Sequence, residues 1–339
     1  MVQRAGLSVS KTYNQPLGGN EMPRFGGPLT MMRLPTATQC EGIEACFVGV
    51  PIDVGASNRP GTRFGPRQIR AESTMIRPYN MATGAAPFDC IQVADIGDVA
   101  INTFDLKASV EIIGHRYSEI FASGCVPLTM GGDHTISWPI LKAASAHYGP
   151  VALVHVDAHA DINDEMFGEK IAHGTPFRRA CEAGALINEK VFQIGLRGSG
   201  YSADDFNWSR ERGFTVVPAE HCWHRSLAPL MEVVRSKIGD APTYLSFDID
   251  SIDPGLAPGT GTQEMGGLTT IQALEIVRGC AGLNLIGCDL VEVSPPYDPS
   301  GTTALLASNL LFEMLCALPK VESHRRKNVA SDPLNERIF

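Results

Sequence analysis

Short apolar runs rich in β-branched residues recur along the chain, separated by longer stretches whose apolar positions fall three or four residues apart. Ala45–Val50, Cys90–Ala94, Val126–Met130, Val151–Val156, Val191–Ile194, Thr215–Val217, Thr243–Phe247 and Leu285–Val291 read as strands. Between them Leu106–Ser123, Ile136–His147, Pro176–Ala183, Ser226–Ile238 and Thr269–Gly279 read as helices, and the strongly apolar Ala304–Leu318 as a helix packed on the sheet. Apolar strands alternating with helices predict a mostly parallel sheet covered on both faces. The pattern has no internal repeat and no low-complexity linker. It predicts an N-terminal arm over 1–40, one α/β domain over 41–320 and a polar tail over 321–339 that includes His324, Arg325, Arg326 and Lys327.

Composition narrows the class. The 339 residues are 44% hydrophobic and 19% charged, which excludes a disordered chain, a collagen-like fibre and a coiled coil. A net charge of −9 leaves no basic footprint for nucleic acid, and no apolar run approaches the roughly 20 residues of a membrane-spanning helix. The acidic balance keeps metal chemistry open, because hard cations take oxygen ligands. The nine cysteines are odd in number and scattered, so they read as reduced, buried small hydrophobes, and the protein as cytoplasmic. Arg4 and Lys11 precede the first acid at Glu21, where a loose arm is expected rather than a targeting presequence.

In parallel α/β sheets, ligands gather beyond the carboxyl ends of the strands, and here those positions are rich in acids and histidines. Gly131-Gly132-Asp133-His134 follows the third strand and Asp157-Ala158-His159-Ala160-Asp161 the fourth. Asp248 and Asp250 follow the seventh, and Glu292 the eighth. Alternate side chains of an extended segment share a face, so Asp157, His159 and Asp161 can converge, as can Asp248 and Asp250. One isolated Asp after a strand is as readily a helix cap or an Asx turn. Asp133 is expected to form a turn or to support a metal-bound histidine, and His155, inside its strand, to be a satisfied core histidine. Several convergent buried carboxylates are another matter, since their repulsion would be ruinous without cations. Oxygen-rich sets with a single histidine suit Mn²⁺ or a similar divalent ion better than a structural zinc. The surplus of carboxylates points to a binuclear centre with ions roughly 3.5–4 Å apart.

Three of these motifs, Gly131-Gly132-Asp133-His134, Asp157-Ala158-His159-Ala160-Asp161 and Ser246-Phe247-Asp248-Ile249-Asp250, resemble the signatures of the ureohydrolases, the family of arginase, agmatinase and guanidino-acid hydrolases. The likeness runs from about Val48 to Leu318. It implies a three-layer α/β/α fold around a parallel sheet on the order of eight strands, two Mn²⁺ per subunit and a homotrimer or homohexamer. It further implies that His134, Asp157, Asp161 and Asp248 hold the first ion, and Asp157, His159, Asp248 and Asp250 the second. His173, in Ala172-His173-Gly174-Thr175, would shuttle a proton. Glu292, in Val291-Glu292-Val293-Ser294, would pair with the substrate guanidinium, whose planar fork of donors suits a carboxylate. The reaction implied is attack of a metal-bridging hydroxide, aimed by Asp161, on the guanidinium carbon, with urea as product. A catalytically silent binding subunit is the competing class, and the presence of all these residues counts against it.

The loop from Asp161 to His173 must pass the mouth of such a site. Asn163 there could touch a distal polar group and Met166 could set the pocket's depth, although plain loop packing explains both equally well. The flanking segments 15–27, 77–89 and 200–209 are similar to the guanidinobutyrase branch of the family. That implies 4-guanidinobutyrate as substrate, with agmatine and 3-guanidinopropionate as alternatives. Gln263 stands where relatives usually carry proline and is expected to loosen a loop beside the site without touching a ligand.

Overall fold

The computed structural model describes residues 13–322. The expectations for Arg4 and Lys11, and for the tail from residue 323, lie outside the described residues. Within them the apolar runs form β1 (Ala45–Gly49), β2 (Val93–Asp98), β3 (Val126–Met130), β4 (Val151–Val156), β5 (Leu186–Leu196), β6 (Thr215–Pro218), β7 (Pro242–Asp248) and β8 (Asn284–Val291). All pair in parallel in one sheet, ordered β2-β1-β3-β8-β7-β4-β5-β6. The pleat sends successive side chains to two separate apolar cores: Ala45 and Phe47 face one, Cys46 and Val48 the other.

Helices α1 (Gly65–Glu72), α2 (Pro87–Cys90), α3 (Leu106–Ala122), α4 (Ser137–Tyr148), α5 (Pro176–Glu182), α6 (Asn207–Glu211), α7 (Ala228–Ile238), α8 (Thr270–Gly279) and α9 (Thr302–Cys316) divide between the two faces. Ile69, Phe88, Met231, Ile276 and Leu311 place α1, α2, α7, α8 and α9 on the first core. Ile113, Tyr117, Ile140, Phe177 and Trp208 place α3, α4, α5 and α6 on the second. The result is the expected α/β/α sandwich. The longest helix, α3, is capped by Asp105, which accepts from the Ala108 amide, and α8 opens on a capping box between Thr269 and Gln272; each such cap stabilises by about 1 kcal/mol. All nine cysteines are free. Among the described residues no helix is long and apolar enough to cross a membrane.

Two local features depart from the apolar pattern. Cys90 belongs to α2 rather than to a strand, because Pro87 presets a helical turn, and β2 begins only at Val93. Helix α1 carries one large apolar residue, Ile69, so periodicity does not announce it. What it buries beside Ile69 is Arg70, whose guanidinium bonds to Asp95 and Asp98 of β2 at 2.6–2.9 Å.

Strands β3, β8, β7 and β4 are consecutive across the middle of the sheet. Their registers, Met130 beside Leu290, Val291 beside Asp248 and Phe247 beside Val156, make their carboxyl ends finish level. These are the four strands whose ends carry the acids and histidines.

Candidate metal centre

Level strand ends bring the predicted ligands into one cluster. His134 Nδ1 lies 3.1 Å from Asp157 Oδ2, 2.9 Å from Asp161 Oδ2 and 3.3 Å from Asp248 Oδ2. His159 Nδ1 lies 3.1 Å from Asp250 Oδ2 and 3.5 Å from Asp157 Oδ1. Two groups of ligand atoms thus form, with Asp157 common to both. All four carboxylates and His134 are buried.

The hydrogen bonds behind the cluster test whether cations fit it. Asp289 of β8 is fully buried and accepts from the hydroxyls of Ser137, Tyr244 and Ser246 at 2.7–3.0 Å. With its own proton committed to Asp289, the Ser246 oxygen accepts from His134 Nε2–H at 2.9 Å. His134 therefore turns the lone pair of Nδ1 toward three carboxylates, and that buried atom has no hydrogen-bond partner. Acceptor against acceptors in a buried site repels unless positive charge lies between them. Among the described residues no Lys or Arg forms an ion pair with Asp157, Asp161, Asp248 or Asp250. Burial first, then Asp250 and Asp157, pushes the Asp248 carboxyl well above the usual range. The donor set, carboxylate oxygens with one imidazole in each half and no thiolate, fits a pair of hard-to-borderline divalent ions.

His155 is more than a core histidine. Gln193 Nε2 donates to its Nδ1 at 3.1 Å, which leaves Nε2–H to donate to Asp157 Oδ2 at 2.7 Å. The shared carboxylate is thereby held in orientation. Asp133 stays out of the cluster, as expected: it accepts from the amides of Gly55 and Thr135 and fixes the loop over the site. Burial, with the charge of Glu292, pushes its carboxyl up to about 6. Gly132 is required here because a Cβ would strike the Ile52 carbonyl.

His173 and Glu292 meet beside the cluster. Glu292 Oε1 accepts from the His134 amide at 2.9 Å and lies 3.5 Å from His173 Nδ1. Glu292 Oε2 accepts no hydrogen bond among the described residues. Ser57, remote in sequence, holds the other side of the ring, with its hydroxyl 2.7 Å and its amide 3.2 Å from Nε2. In the neutral ring the Ser57 amide and hydroxyl donate to Nε2 and the proton sits on Nδ1, toward Glu292; in the imidazolium Nε2–H turns to the Ser57 hydroxyl, which can also accept. Burial alone would pull the imidazole down, but Glu292, then Asp161 and Asp133, outweigh it and lift His173 to about 9. Asp161 and Glu292 both hold left-handed backbone, at φ 51° and 64°. That conformation is uncommon outside glycine and concentrates at functional sites.

A cavity of about 800 Å³ opens over the cluster, and Asn163 and Met166 both line it. The Asn163 amide also donates to Gly174 O at 3.1 Å, so it braces the loop as well. Thr262 donates to Asp250 Oδ2 at 3.2 Å. Its neighbour Gln263 ties the loop instead of loosening it, bonding the Pro258 carbonyl and Arg59.

Comparison with known proteins identifies the family. The family model described as Arginase family matches residues 43–316. A guanidinobutyrase of Pseudomonas aeruginosa is 67% identical over 92% of this chain and 99% of its own. A mitochondrial agmatinase of Gallus gallus is 58% identical over 92% of each chain. The solved structure of a proclavaminate amidino hydrolase from Streptomyces clavuligerus superposes with a TM-score of 0.82 at 36% identity, covering 87% of this chain and 99% of that one. With its eight-stranded parallel sheet and paired His/Asp ligand groups at level strand ends, this chain belongs to the arginase family.

Proposed function

We propose that this protein hydrolyses a linear guanidino acid, foremost 4-guanidinobutyrate, to 4-aminobutyrate and urea. The observation that carries the reading is Glu292, a buried carboxylate with one oxygen unbonded, set beside His173 at the edge of a doubled His/Asp cluster. His134, Asp157, Asp161 and Asp248 would hold one Mn²⁺, and Asp157, His159, Asp248 and Asp250 the other. When bound, such a pair of ions supplies hydroxide at neutral pH.

The chain's own residues do the rest. Glu292 accepts the guanidinium and turns its carbon toward Asp161, which aims the nucleophile. The same encounter acts on His173. A guanidinium arriving at Glu292 neutralises the carboxylate that stabilises the His173 imidazolium, so its pKa falls and Nδ1 can pass its proton to the departing amine, leaving a neutral ring whose Nε2–H donates to the Ser57 hydroxyl. Asn163 and Met166 bound the space for the substrate's tail. Agmatine is the second reading, favoured by the likeness to the agmatinase of Gallus gallus. A catalytic unit over 41–320, a homotrimer or homohexamer and a cytoplasmic setting belong to the same proposal. The test is to load the protein with Mn²⁺, supply 4-guanidinobutyrate and identify both products. Equal amounts of urea and 4-aminobutyrate, with two ions per subunit, support it; bound metal without urea refutes it.

A further inference from the structure

A guanidino acid leaves a carboxylate to be recognised at the end away from the metal cluster, and the proposed function does not say what receives it. Away from the histidines of the site, two arginines line the cavity, Arg178 and Arg197. Arg197 is fully committed: Nε, NH1 and NH2 all donate to backbone carbonyls, among them those of Asp250, Ser251 and Glu264. It braces the loops and has no donor left to offer.

Arg178 is held differently. It lies in the first turn of α5, five residues beyond His173. Its Nε donates to Glu182 at 2.9 Å, and its guanidinium lies over the Trp208 ring at 4.7 Å. One edge and one face of the fork are thus fixed. Among the described residues NH1 and NH2 make no hydrogen bond; Asp164 Oδ1 lies 3.9 Å from NH2 and is itself taken by Arg179 at 2.8 Å. Stacking on an aromatic ring with the terminal edge free is the arrangement that suits bidentate capture of a planar carboxylate.

We infer that Arg178, steadied by Trp208 and Glu182, is the carboxylate-binding subsite of the cavity, reading the acid end of the substrate while Glu292 reads the guanidinium end. The inference rests on the guanidino-acid reading. It makes Arg178 a specificity residue, because the same cation repels the terminal amine of agmatine. Of the lining carboxylates outside the metal cluster, Asp164 is paired with Arg179 and Asp205 is bonded to Tyr201 and Ser202, which leaves Glu264 as the rival that would suit an amine.

The experiment measures kcat and KM of wild type, Arg178→Gln, Arg178→Lys and Glu264→Gln on three substrates: 4-guanidinobutyrate, its neutral amide 4-guanidinobutyramide, and agmatine. Metal content and thermal midpoint serve as folding controls. For Arg178→Gln, kcat/KM on the acid is expected to fall about 30-fold or more, chiefly through KM, with the amide changed by less than about threefold. Arg178→Lys, which keeps the charge and loses the fork, is expected to fall between and reads the same split should the glutamine variant fail to fold. A wild type that prefers the acid, with Arg178→Gln affecting acid and amide alike or neither, overturns the subsite and leaves the guanidino-acid reading standing. A wild type that prefers agmatine and loses that preference in Glu264→Gln overturns both.

Discussion

Replacing Glu292 by Gln is expected to separate the proposed substrate recognition from metal binding. The glutamine amide oxygen can still accept from the His134 amide, now bonded at 2.9 Å, and an unbranched side chain tolerates φ 64° as Glu does. The scaffold should therefore hold, whereas alanine would leave a buried amide without its acceptor. What glutamine loses is the negative charge. Removing one partner of a buried ion pair costs about 3–5 kcal/mol, and the neutral hydrogen bond that glutamine still offers returns about 1 kcal/mol. The net loss of about 2–4 kcal/mol corresponds to a drop in kcat/KM of roughly 30-fold to 10³-fold. Because Glu292 also holds the His173 proton, part of the loss should appear in kcat. The assay is urea release under saturating Mn²⁺, with metal content measured on the same preparation. Unchanged metal with kcat/KM inside that window is expected. Near wild-type kinetics would remove Glu292 from the site, and loss of metal would show it to be part of the ion-binding scaffold instead.

Further outcomes follow from the same geometry. Asp157→Ala, which removes the carboxylate common to both ligand groups, should lose both ions and all activity together; two ions retained with normal turnover would refute the shared role. Ser57→Ala removes the hydroxyl 2.7 Å from His173 Nε2 and should lower kcat about tenfold with metal content intact, so an unaltered kcat would dissociate Ser57 from the proton transfer. Burial raises Asp248, and ligands must shed protons before cations bind. At subsaturating Mn²⁺, metal occupancy and thermal midpoint should therefore fall together as pH is lowered and recover with excess Mn²⁺, and a pH-independent metal affinity would contradict this. Arg70→Met strands the fully buried Asp95 without its partner and should cost about 3–5 kcal/mol of stability, with kcat of the folded fraction unchanged; a denaturation midpoint equal to wild type would sink that claim.

Much of the metal cluster was legible because strand ends in a parallel sheet are a small set of positions and the i, i+2 spacing of Asp157, His159 and Asp161 is written in the chain. What the sequence withheld are relations between strands. His155 reads as a core histidine until the register sets Gln193 beside it and fixes which nitrogen faces Asp157. Asp289 lies inside an apolar strand with nothing local to mark it, and only pairing with β7 shows that it acts through Ser246 on His134. Ser57 and Arg178 are silent for the same reason: their partners His173 and Trp208 are brought near by the crossovers, not by spacing. Helix α1 escaped periodicity because its buried side chains are Pro66, Ile69 and an arginine, Arg70. The misplaced start of β2 reflects a competition that Pro87 wins locally over the apolar run that follows.

The most direct test of the central claim compares kcat/KM for urea release by the Mn²⁺-loaded protein on 4-guanidinobutyrate, 3-guanidinopropionate, agmatine and arginine. 4-Guanidinobutyrate is expected to lead by about tenfold or more, which is about 1.4 kcal/mol of transition-state preference. Agmatine in the lead, or no urea from any of the four, would contradict it.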